Sequence, residues 1–280
     1  MISVVANGIY SVLGNEELYP EKAPILGLVK CIPQEYPKIR CRYIDINPAV
    51  EEKTSILKNL TTEIAATIED TEIAFRNGMK WFRTYEKIET FAHNVPTLLK
   101  QEGTYLITGG LGNISLLFAE YLAKTINANL ILVGRSDFPV REEWEYWLKH
   151  DDSTNTYAQK IRQIKRIESL GGKVRILKAC VDNHEQMQQA FHAGLHEFGI
   201  INGVFHLAGE TKAEGYSYIA NMADLQLWLQ LKSKAQGLLI VNDMVTQFCP
   251  DLDFVFLSSS LSISSSIILV FDFFKNPIFI

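Results

Sequence analysis

A glycine-rich turn between an apolar strand and an amphipathic helix is the stretch of this sequence whose residue types most clearly suggest chemistry. Residues 104–123 read TYLITGGLGNISLLFAEYLA. Phosphate binding at a helix start needs backbone N–H groups that approach the ligand closely, and glycine permits this because it has no Cβ and accepts positive φ. Residues 108–112, Thr-Gly-Gly-Leu-Gly, meet that requirement. The stretch is therefore either a dinucleotide-binding turn or an ordinary turn before a helix.

Two residues depart from the glycine pattern of dinucleotide-binding turns. Asn113 is compatible with the turn, because asparagine accepts left-handed backbone angles. Ser115 is harder to accommodate, because the last glycine of the pattern allows close packing of helix on strand and a serine adds a side chain to that contact. These departures leave both interpretations of the turn open.

The end of the next strand favours the nucleotide interpretation. In the run LILVGRSDF the apolar residues are followed by Gly134-Arg135-Ser136, roughly where a dinucleotide fold carries the residue that contacts the ribose. An acidic residue there holds the 2′-hydroxyl of NAD, whereas an arginine accommodates the 2′-phosphate of NADP. Arg135 with Ser136 suits a phosphate, and the alternative is an exposed arginine in a loop.

The elements around this turn predict an α/β fold with a doubly wound parallel sheet. Short apolar runs alternate with segments of helical periodicity, which is typical of parallel strands covered on both faces. A long helical segment is predicted from about Met222 to Phe248. The strands expected after the turn are 129–134, 173–179, 201–209 and 251–259.

The first hundred residues form a separate, smaller unit in this interpretation. Residues 39–46 alternate like a strand with one buried face, and the following segment has helical spacing. Residues 71–88 contain an Asn-Gly pair between two short strand-like runs, which is a strong hairpin signal. Pro96 and the polar run 100–103 make a plausible junction with the second unit.

Composition excludes several function classes. The net charge of −5 provides no basic field for nucleic acid, and 47% hydrophobic with 21% charged residues is ordinary for a globular protein. The four cysteines lack metal-ligand spacing and are expected to be reduced thiols, so no metal site is predicted. The sequence has neither a secretory signal nor an apolar run of membrane-spanning length. A cytoplasmic protein is expected.

An ordered set of motifs resembles the ketoreductase domain of modular polyketide synthases, a branch of the short-chain dehydrogenase/reductase superfamily. The motifs are TYLITGGLGNISLLFAEYLA, LILVGRS, INGVFHLAGE, LKSKAQG and LDFVFLSSSLS. Upstream, PEKAPILGLVKCIPQEYPKIRCRYIDI and EIAFRNGMKWFRTYEKI resemble the catalytically silent half that precedes the active half in that family. The resemblance covers residues 8–262. It implies a structural subdomain at 1–100, a degenerate Rossmann-like half, and a Rossmann-like NADP-binding catalytic subdomain at 101–262.

The resemblance implies NADPH-dependent reduction of a β-ketoacyl chain on an acyl carrier protein, beside other domains of a polyketide synthase. In the family a serine and a tyrosine hydrogen-bond the carbonyl oxygen, the tyrosine acts as general acid, and a lysine lowers its pKa. Lys234 matches the family lysine better than Lys232. Ser260 matches the serine, with Ser258 and Ser259 as alternatives because a serine run blurs the register.

The same resemblance assigns the cofactor to the glycine turn and to the ends of the following strands. In this assignment His206 supports the strand end rather than catalysis. The implied cofactor-binding residues are Thr108, Gly109, Gly110, Leu111, Gly112, Asn113, Ile114, Arg135, Ser136, Cys180, Val181, Ala208 and Gly209.

Other positions depart from the family pattern. The acidic residue expected near the adenine is Cys180, with Asp182 two positions later as a possible substitute. The tyrosine position holds Phe273, which cannot donate a proton, and the expected asparagine is Pro277. Losing a general acid costs roughly 10²–10⁴-fold in rate.

The apolar tail, residues 263–280, does not match the family, and this suggests a truncated gene or a shifted reading frame. The N-terminus starts partway into the silent half, so a piece of a larger polypeptide is expected. A non-catalytic, structural or NADPH-binding module of a synthase is therefore the alternative function.

Overall fold

The computed structural model describes residues 1–67, 70–84, 98–150, 156–209 and 217–258, which form two compact units. The first unit contains the described residues up to 84 together with Tyr218–Asn221, and the second contains residues 98–217 and Met222–Ser258 as far as they are described. No helix in these described ranges is long and apolar enough to cross a membrane.

The first unit is a four-stranded sheet in the order β1-β2-β3-β4. Its first three strands are parallel, and β4 returns antiparallel to β3. The turn between β3 and β4 is the predicted Asn-Gly pair, with φ of 53° at Asn77 and 75° at Gly78, the left-handed angles that such a hairpin turn needs. Its elements are β1 (Ile2–Asn7), α1 (Pro24–Glu35), β2 (Cys41–Ile46), α2 (Lys53–Ala65), β3 (Glu72–Arg76) and β4 (Met79–Phe82).

Strand β2 corrects one sequence expectation. Alternation predicted a strand with one buried face, but both faces of β2 are buried. The polar residue that produced the alternating pattern is Arg42, and its side chain is fully buried. Its guanidinium pairs with Glu63 at 2.9 Å and donates a hydrogen bond to Ser3 Oγ. A buried ion pair satisfies a charge that the pattern assigned to solvent.

The second unit is a five-stranded, all-parallel sheet in the order β7-β6-β5-β8-β9. This confirms the predicted doubly wound α/β fold. Its strands are β5 (Thr104–Thr108), β6 (Asn129–Gly134), β7 (Lys173–Lys178), β8 (Gly203–His206) and β9 (Phe254–Leu257). Its helices are α3 (Asn113–Ile126), α4 (Trp144–Lys149), α5 (Thr156–Ser169), α6 (His184–Phe198), α7 (Asp224–Leu231) and α8 (Gly237–Phe248).

Two apolar cores lie on opposite faces of this sheet. On one face Leu116 of α3 and Ile161 of α5 pack with alternate residues of β6 such as Leu132. On the other face Phe191 of α6 and Met244 of α8 pack with the intervening residues of β6. Burial on both faces explains why the strands are continuous apolar runs rather than alternating ones.

The long helical segment predicted from Met222 to Phe248 is interrupted. Helices α7 and α8 are joined by a π-helical segment, Lys232–Gln236, in which the chain makes a wider turn. Single π turns of this kind are frequent at functional sites. Both lysines that the sequence offered as candidates lie in this segment.

Candidate functional site

A cavity of about 210 Å³ lies at the carboxyl ends of strands β5, β6, β7 and β8. Strand order reverses between β5 and β8, and ligands of open parallel sheets bind in the crevice at such a switch point. The lining residues come from four strand ends and from the region around the π-helical segment: Thr108, Gly109, Val133, Gly134, Arg135, Ala179, Cys180, Val181, Asp182, Ala208, Gly209, Leu229, Lys232 and Ser233.

The turn after β5 requires glycine at its first two positions for different reasons. Gly109 has φ of +66°, and a Cβ there would stand 3.0 Å from the Ala208 Cα. At Gly110 a Cβ would stand 2.7 Å from the Leu132 Cα and 2.8 Å from the Ile107 carbonyl oxygen. The first position needs the left-handed angle, and the second needs the space between two strands.

Helix α3 begins directly after this turn, with Gly112 as its N-cap residue and Asn113 as its first residue. The expectation that Asn113 would use left-handed angles is wrong, because Asn113 is helical and is absent from the described residues with positive φ. Gly112, Asn113 and Ile114 are exposed, so no side chain among the described residues covers the start of the helix. The unpaired N–H groups and the positive end of the helix dipole are therefore accessible to an anion.

Ser115 is accommodated by a hydrogen bond rather than by loss of packing. Its side chain is buried, and its Oγ donates to the Gly109 carbonyl oxygen at 2.7 Å. The serine thus fastens the first turn of α3 to the glycine turn, in place of the close contact that a glycine would make. The sequence argument identified the added side chain but not the acceptor that it would meet.

We expect Ser115→Ala to lower the free energy of unfolding of the second unit by about 1 kcal/mol, the net value of a typical hydrogen bond. Ser169→Ala is the matched control, because the Oγ of Ser169 donates at 2.7 Å to the Arg166 carbonyl oxygen from an exposed position. Denaturant unfolding of both variants measures the difference. Equal effects of the two substitutions would contradict a specific role for Ser115.

The end of β6 presents the predicted pair of phosphate-binding residues. Arg135 lines the cavity and is exposed, and Ser136 follows it in an exposed position. A guanidinium that lines the cavity provides planar, fixed hydrogen-bond donors for a phosphate.

The loop after β7 contains a compact polar cluster. Cys180, Val181 and Asp182 all line the cavity. Burial raises the pKa of the Cys180 thiol, and its hydrogen bond to the Asp182 carboxylate adds to the effect. Burial alone would raise the pKa of Asp182, but its hydrogen bonds with Cys180 and Lys232 outweigh burial and lower it. The Asp182 carboxylate is thus already engaged by two side chains.

A buried hydrogen-bond network joins the ends of β5 and β8. Thr108 Oγ1 lies 3.0 Å from His206 Nδ1 and accepts from the Ala208 N–H at 3.2 Å. Burial lowers the pKa of His206 to about 4; the nearby Lys234 charge acts in the same direction, and the Ser233 backbone opposes it. Within the described residues, His206 Nε2 is buried without a hydrogen bond of ordinary geometry. The histidine is therefore neutral at pH 7 and holds the two strand ends together.

The structure separates the two candidate lysines. Lys232 Nζ lies 2.5 Å from Asp182 Oδ2, and its side chain is 41% exposed. Lys234 is more buried, which lowers its pKa, and its Nζ donates to Ser258 Oγ at 3.3 Å. A Cβ on Gly209 would stand 3.2 Å from the Lys234 Cε. Lys234 is therefore the lysine beside Gly209, whereas Lys232 is held by Asp182.

Of the three serine candidates, the structure describes Ser258 and its contact with Lys234. Ser259 and Ser260 lie outside the described residues, as do Phe273 and Pro277. Sequence reasoning missed the Asp182–Lys232 pair and the Thr108–His206 bond. Neither has a sequence signal, because a π-helical turn changes which residues share a helix face and because Thr108 and His206 are 98 positions apart.

The residues around this cavity fit a dinucleotide. The turn leaves the start of α3 uncovered, and an exposed arginine borders the same opening. No group of three or more histidine, cysteine or acidic side chains that could hold a metal ion occurs in the described parts of the chain.

A larger cavity, about 460 Å³, lies in the first unit. Its polar groups are paired with one another, since Glu72 accepts from Tyr10 and pairs with Lys30 at 2.5 Å. It contains none of the residues that the sequence predicted for cofactor or catalysis. The smaller cavity of the second unit is therefore the candidate site.

Comparison with models of protein families shows which family the chain belongs to. The family model described as KR domain matches residues 103–268, which is more than half of the chain. The chain belongs to the KR-domain family. The match extends slightly beyond Ser262, where the sequence resemblance was expected to end. KR domains of polyketide synthases are Rossmann-fold reductases that use a nicotinamide cofactor.

Curated relatives of this KR domain are much longer proteins. It is 24% identical to polyketide synthase PksL of Bacillus subtilis over 89% of this chain and 5% of that protein, a match of 251 residues that reaches into the first unit. It is 32% identical to polyketide synthase PksM of the same organism over 73% of this chain and 4% of that protein. The chain thus spans about a twentieth of the length of these relatives.

Solved structures show the same fold. A ketoreductase domain from the bacillaene assembly line has a TM-score of 0.72 at 23% identity, covering 95% of this chain and 56% of that one. A multidomain structure with adenylation, ketoreductase and pseudo-Asub domains, from a keto acid-selecting NRPS module, has a TM-score of 0.75 at 21% identity, covering 96% of this chain and 21% of that one.

Proposed function

We propose that this KR domain carries out NADPH-dependent reduction of a β-ketoacyl thioester on an acyl carrier protein, giving the β-hydroxyacyl product in the biosynthesis of a polyketide or a related fatty acid. One observation supports it most: the glycine turn and the ends of β6, β7 and β8 line a single cavity at the switch point of the sheet. Other synthase domains and the carrier protein would be its partners, in the cytoplasm.

The proposed cofactor site uses backbone groups for phosphate and side chains for selectivity. The turn and the start of α3, residues 108–114, would hold the pyrophosphate through N–H groups. Arg135 and Ser136 would bind the 2′-phosphate that distinguishes NADPH from NADH. Cys180 and Val181 would border the adenine, and Ala208 and Gly209 the nicotinamide. When bound, NADPH supplies the hydride for the β-carbon.

The catalytic groups proposed from this chain are Lys234 and Ser260. An ammonium held beside Gly209 with a lowered pKa would stabilise negative charge that develops on a neighbouring oxygen. Ser260 would donate a hydrogen bond to the substrate carbonyl. We further propose that residues 1–100 are the structural subdomain and residues 101–262 the catalytic subdomain.

Phe273 supports a second candidate function. A phenyl ring has no proton to donate, so the tyrosine-type general acid is missing from the expected position. In this alternative the chain binds NADPH as a non-catalytic module of a synthase. The two candidates share the cofactor and differ in turnover.

Cofactor selectivity tests the part that both candidates share. We expect fluorescence titration to show tighter binding of NADPH than of NADH. Arg135→Gln should weaken NADPH binding by about 10- to 100-fold and leave NADH binding nearly unchanged, because a hydrogen bond to a charged group contributes about 1.5–3 kcal/mol. Arg166→Gln is the matched control, since Arg166 pairs with Glu120 on the surface and does not line the cavity.

Turnover then separates the two candidates. Oxidation of NADPH, followed by absorbance with an N-acetylcysteamine β-ketothioester as substrate, supports the reductase. Selective NADPH binding without oxidation supports the non-catalytic module. Equal affinity for the two cofactors in the unmodified chain would overturn the assignment of Arg135.

A further inference from the structure

The π-helical segment Lys232–Gln236 contains two lysines with different surroundings. Lys232 is partly exposed and pairs with a carboxylate, whereas Lys234 is more buried. Residues two positions apart on a helical turn do not face the same side. Lys232 accordingly reaches Asp182 in the loop after β7, whereas Lys234 reaches Ser258 after β9. The segment thus connects the loops that follow two strands at opposite edges of the sheet.

Three contacts fasten this segment and the first residue of α8, Gly237, to the loop after β7. The first is the Lys232–Asp182 ion pair at 2.5 Å, in which the aspartate side chain is 8% exposed. In the second, Gln236 Nε2 donates to the Asp182 carbonyl oxygen at 3.4 Å. The third is the packing of Gly237 on Val181, so close that a Cβ would stand 2.8 Å from Val181 Cγ1. The first contact is the one formed between two charged side chains, and either partner can be substituted without altering the backbone.

The other side of the segment positions the Lys234 ammonium. It is bounded in the described residues by Ser258 Oγ, by the backbone at Gly209 and by His206, whose pKa the Lys234 charge lowers. Ser233 Oγ, between the two lysines, is buried without a hydrogen-bond partner in the described part of the chain. The position of Lys234 is therefore set by how closely the whole segment packs on the sheet.

We propose that the Lys232–Asp182 ion pair is a clasp that positions Lys234, by holding the π-helical segment against the loop that borders the cavity. Lys232 and Asp182 are positioning residues, and their function rests on the proposed reductase site. The family pattern expected an acidic residue at position 180, near the adenine. In this chain the acidic residue lies two positions later, at Asp182, and its carboxylate binds Lys232 instead of the adenine.

The clasp and a simple charge effect predict different results for Asp182→Asn. Loss of the clasp loosens the segment and hydrates Lys234, so its lowered pKa rises toward the ordinary value. A direct charge effect has the opposite sign, because removing the carboxylate leaves Lys232 as an unpaired positive charge that lowers the pKa of Lys234. For Lys232→Gln, loss of the clasp and the direct charge effect both raise the pKa of Lys234.

The experiment is trace acetylation of the full chain with acetic anhydride across pH 6–11, read for each lysine by peptide mass spectrometry. We expect the pKa of Lys234 to rise by about half a unit or more in both Asp182→Asn and Lys232→Gln, and to return to the unmodified value in Lys232→Arg. The control is Lys178→Gln, which removes an exposed ion pair with Asp137 of similar length, 2.7 Å, in the same unit. It should leave Lys234 unchanged.

An unchanged or lowered pKa of Lys234 in Asp182→Asn overturns the clasp, and so does an equal rise in Lys178→Gln. The titration requires no cofactor and no turnover. A chain that fails to bind NADPH but shows the expected shifts therefore refutes the proposed function and leaves the clasp supported as a structural device.

Discussion

Gly110→Ala is expected to lower the free energy of unfolding of the second unit by about 3 kcal/mol, at the upper end of the cost of overpacking a core. The added methyl would stand 2.7 Å from the Leu132 Cα and 2.8 Å from the Ile107 carbonyl oxygen. Both are backbone atoms of central strands, so neither can move without displacing the sheet. The Gly110 N–H also donates to the Val133 carbonyl oxygen at 2.9 Å. This hydrogen bond keeps the turn from moving away from β6 to make room for the methyl group.

Gly134→Ala is the matched control for this prediction. Gly134 lies at the end of β6 near the same turn, but a Cβ there would meet only the Leu111 Cδ1, at 3.9 Å, an ordinary contact. Gly134→Ala should lower the free energy of unfolding of the second unit by less than about 1 kcal/mol. Because the chain has two units, hydrogen exchange of the β5 and β6 amides is the appropriate measurement. Similar loss of protection in the two variants would contradict the steric argument.

Stability of the second unit is expected to fall by about 3 kcal/mol as the pH decreases from 6.5 to about 4, through His206. Burial, with help from the Lys234 charge, lowers the pKa of this histidine from 6.5 to about 4. The unfolded chain therefore takes up a proton at a pH where the folded chain does not. The stabilisation is fully present above pH 6.5 and is lost as the pH falls toward 4, at about 1.4 kcal/mol for each pKa unit.

His206→Gln should remove this part of the acid sensitivity while keeping a side chain that can hydrogen-bond Thr108. We expect the variant to be less stable than the unmodified chain at pH 7 and to approach it at pH 4.5, measured by urea unfolding of the second unit. His192→Gln, at an exposed position on α6, is the control and should retain the full pH dependence. A constant difference between His206→Gln and the unmodified chain at both pH values would refute the assignment.

The order of strands and helices in the second unit could be predicted from the sequence, because tertiary packing does not override the local patterns that indicate them. Apolar runs between helical segments identified its five parallel strands, and the glycine turn identified the start of α3. These signals survive because both faces of a parallel sheet are buried, so each strand is apolar along its length. The Asn77-Gly78 hairpin was predictable for a similar reason, since few residue pairs accept its backbone angles.

The details of the site depended on contacts that no local pattern encodes. Ser115 appeared unfavourable until its acceptor, the Gly109 carbonyl oxygen, was known. The roles of Lys232 and Lys234 are set by a π-helical turn, and a regular helix period cannot predict which side each lysine faces. Arg42 appeared solvent-exposed because its partner Glu63 lies in a different element.

The central position of β5 has a consequence for synthesis of the chain. Its partner β8 follows it by nearly a hundred residues, as the 98-residue separation of Thr108 and His206 measures. At about 5–20 residues per second, a ribosome needs roughly 5–20 s to deliver the second partner after the first strand has emerged. During that interval β5, β6 and β7 form a nascent half-sheet whose apolar β5 edge has unpaired backbone groups. Chaperone capture of ribosome-bound chains should therefore be greatest before β8 is translated.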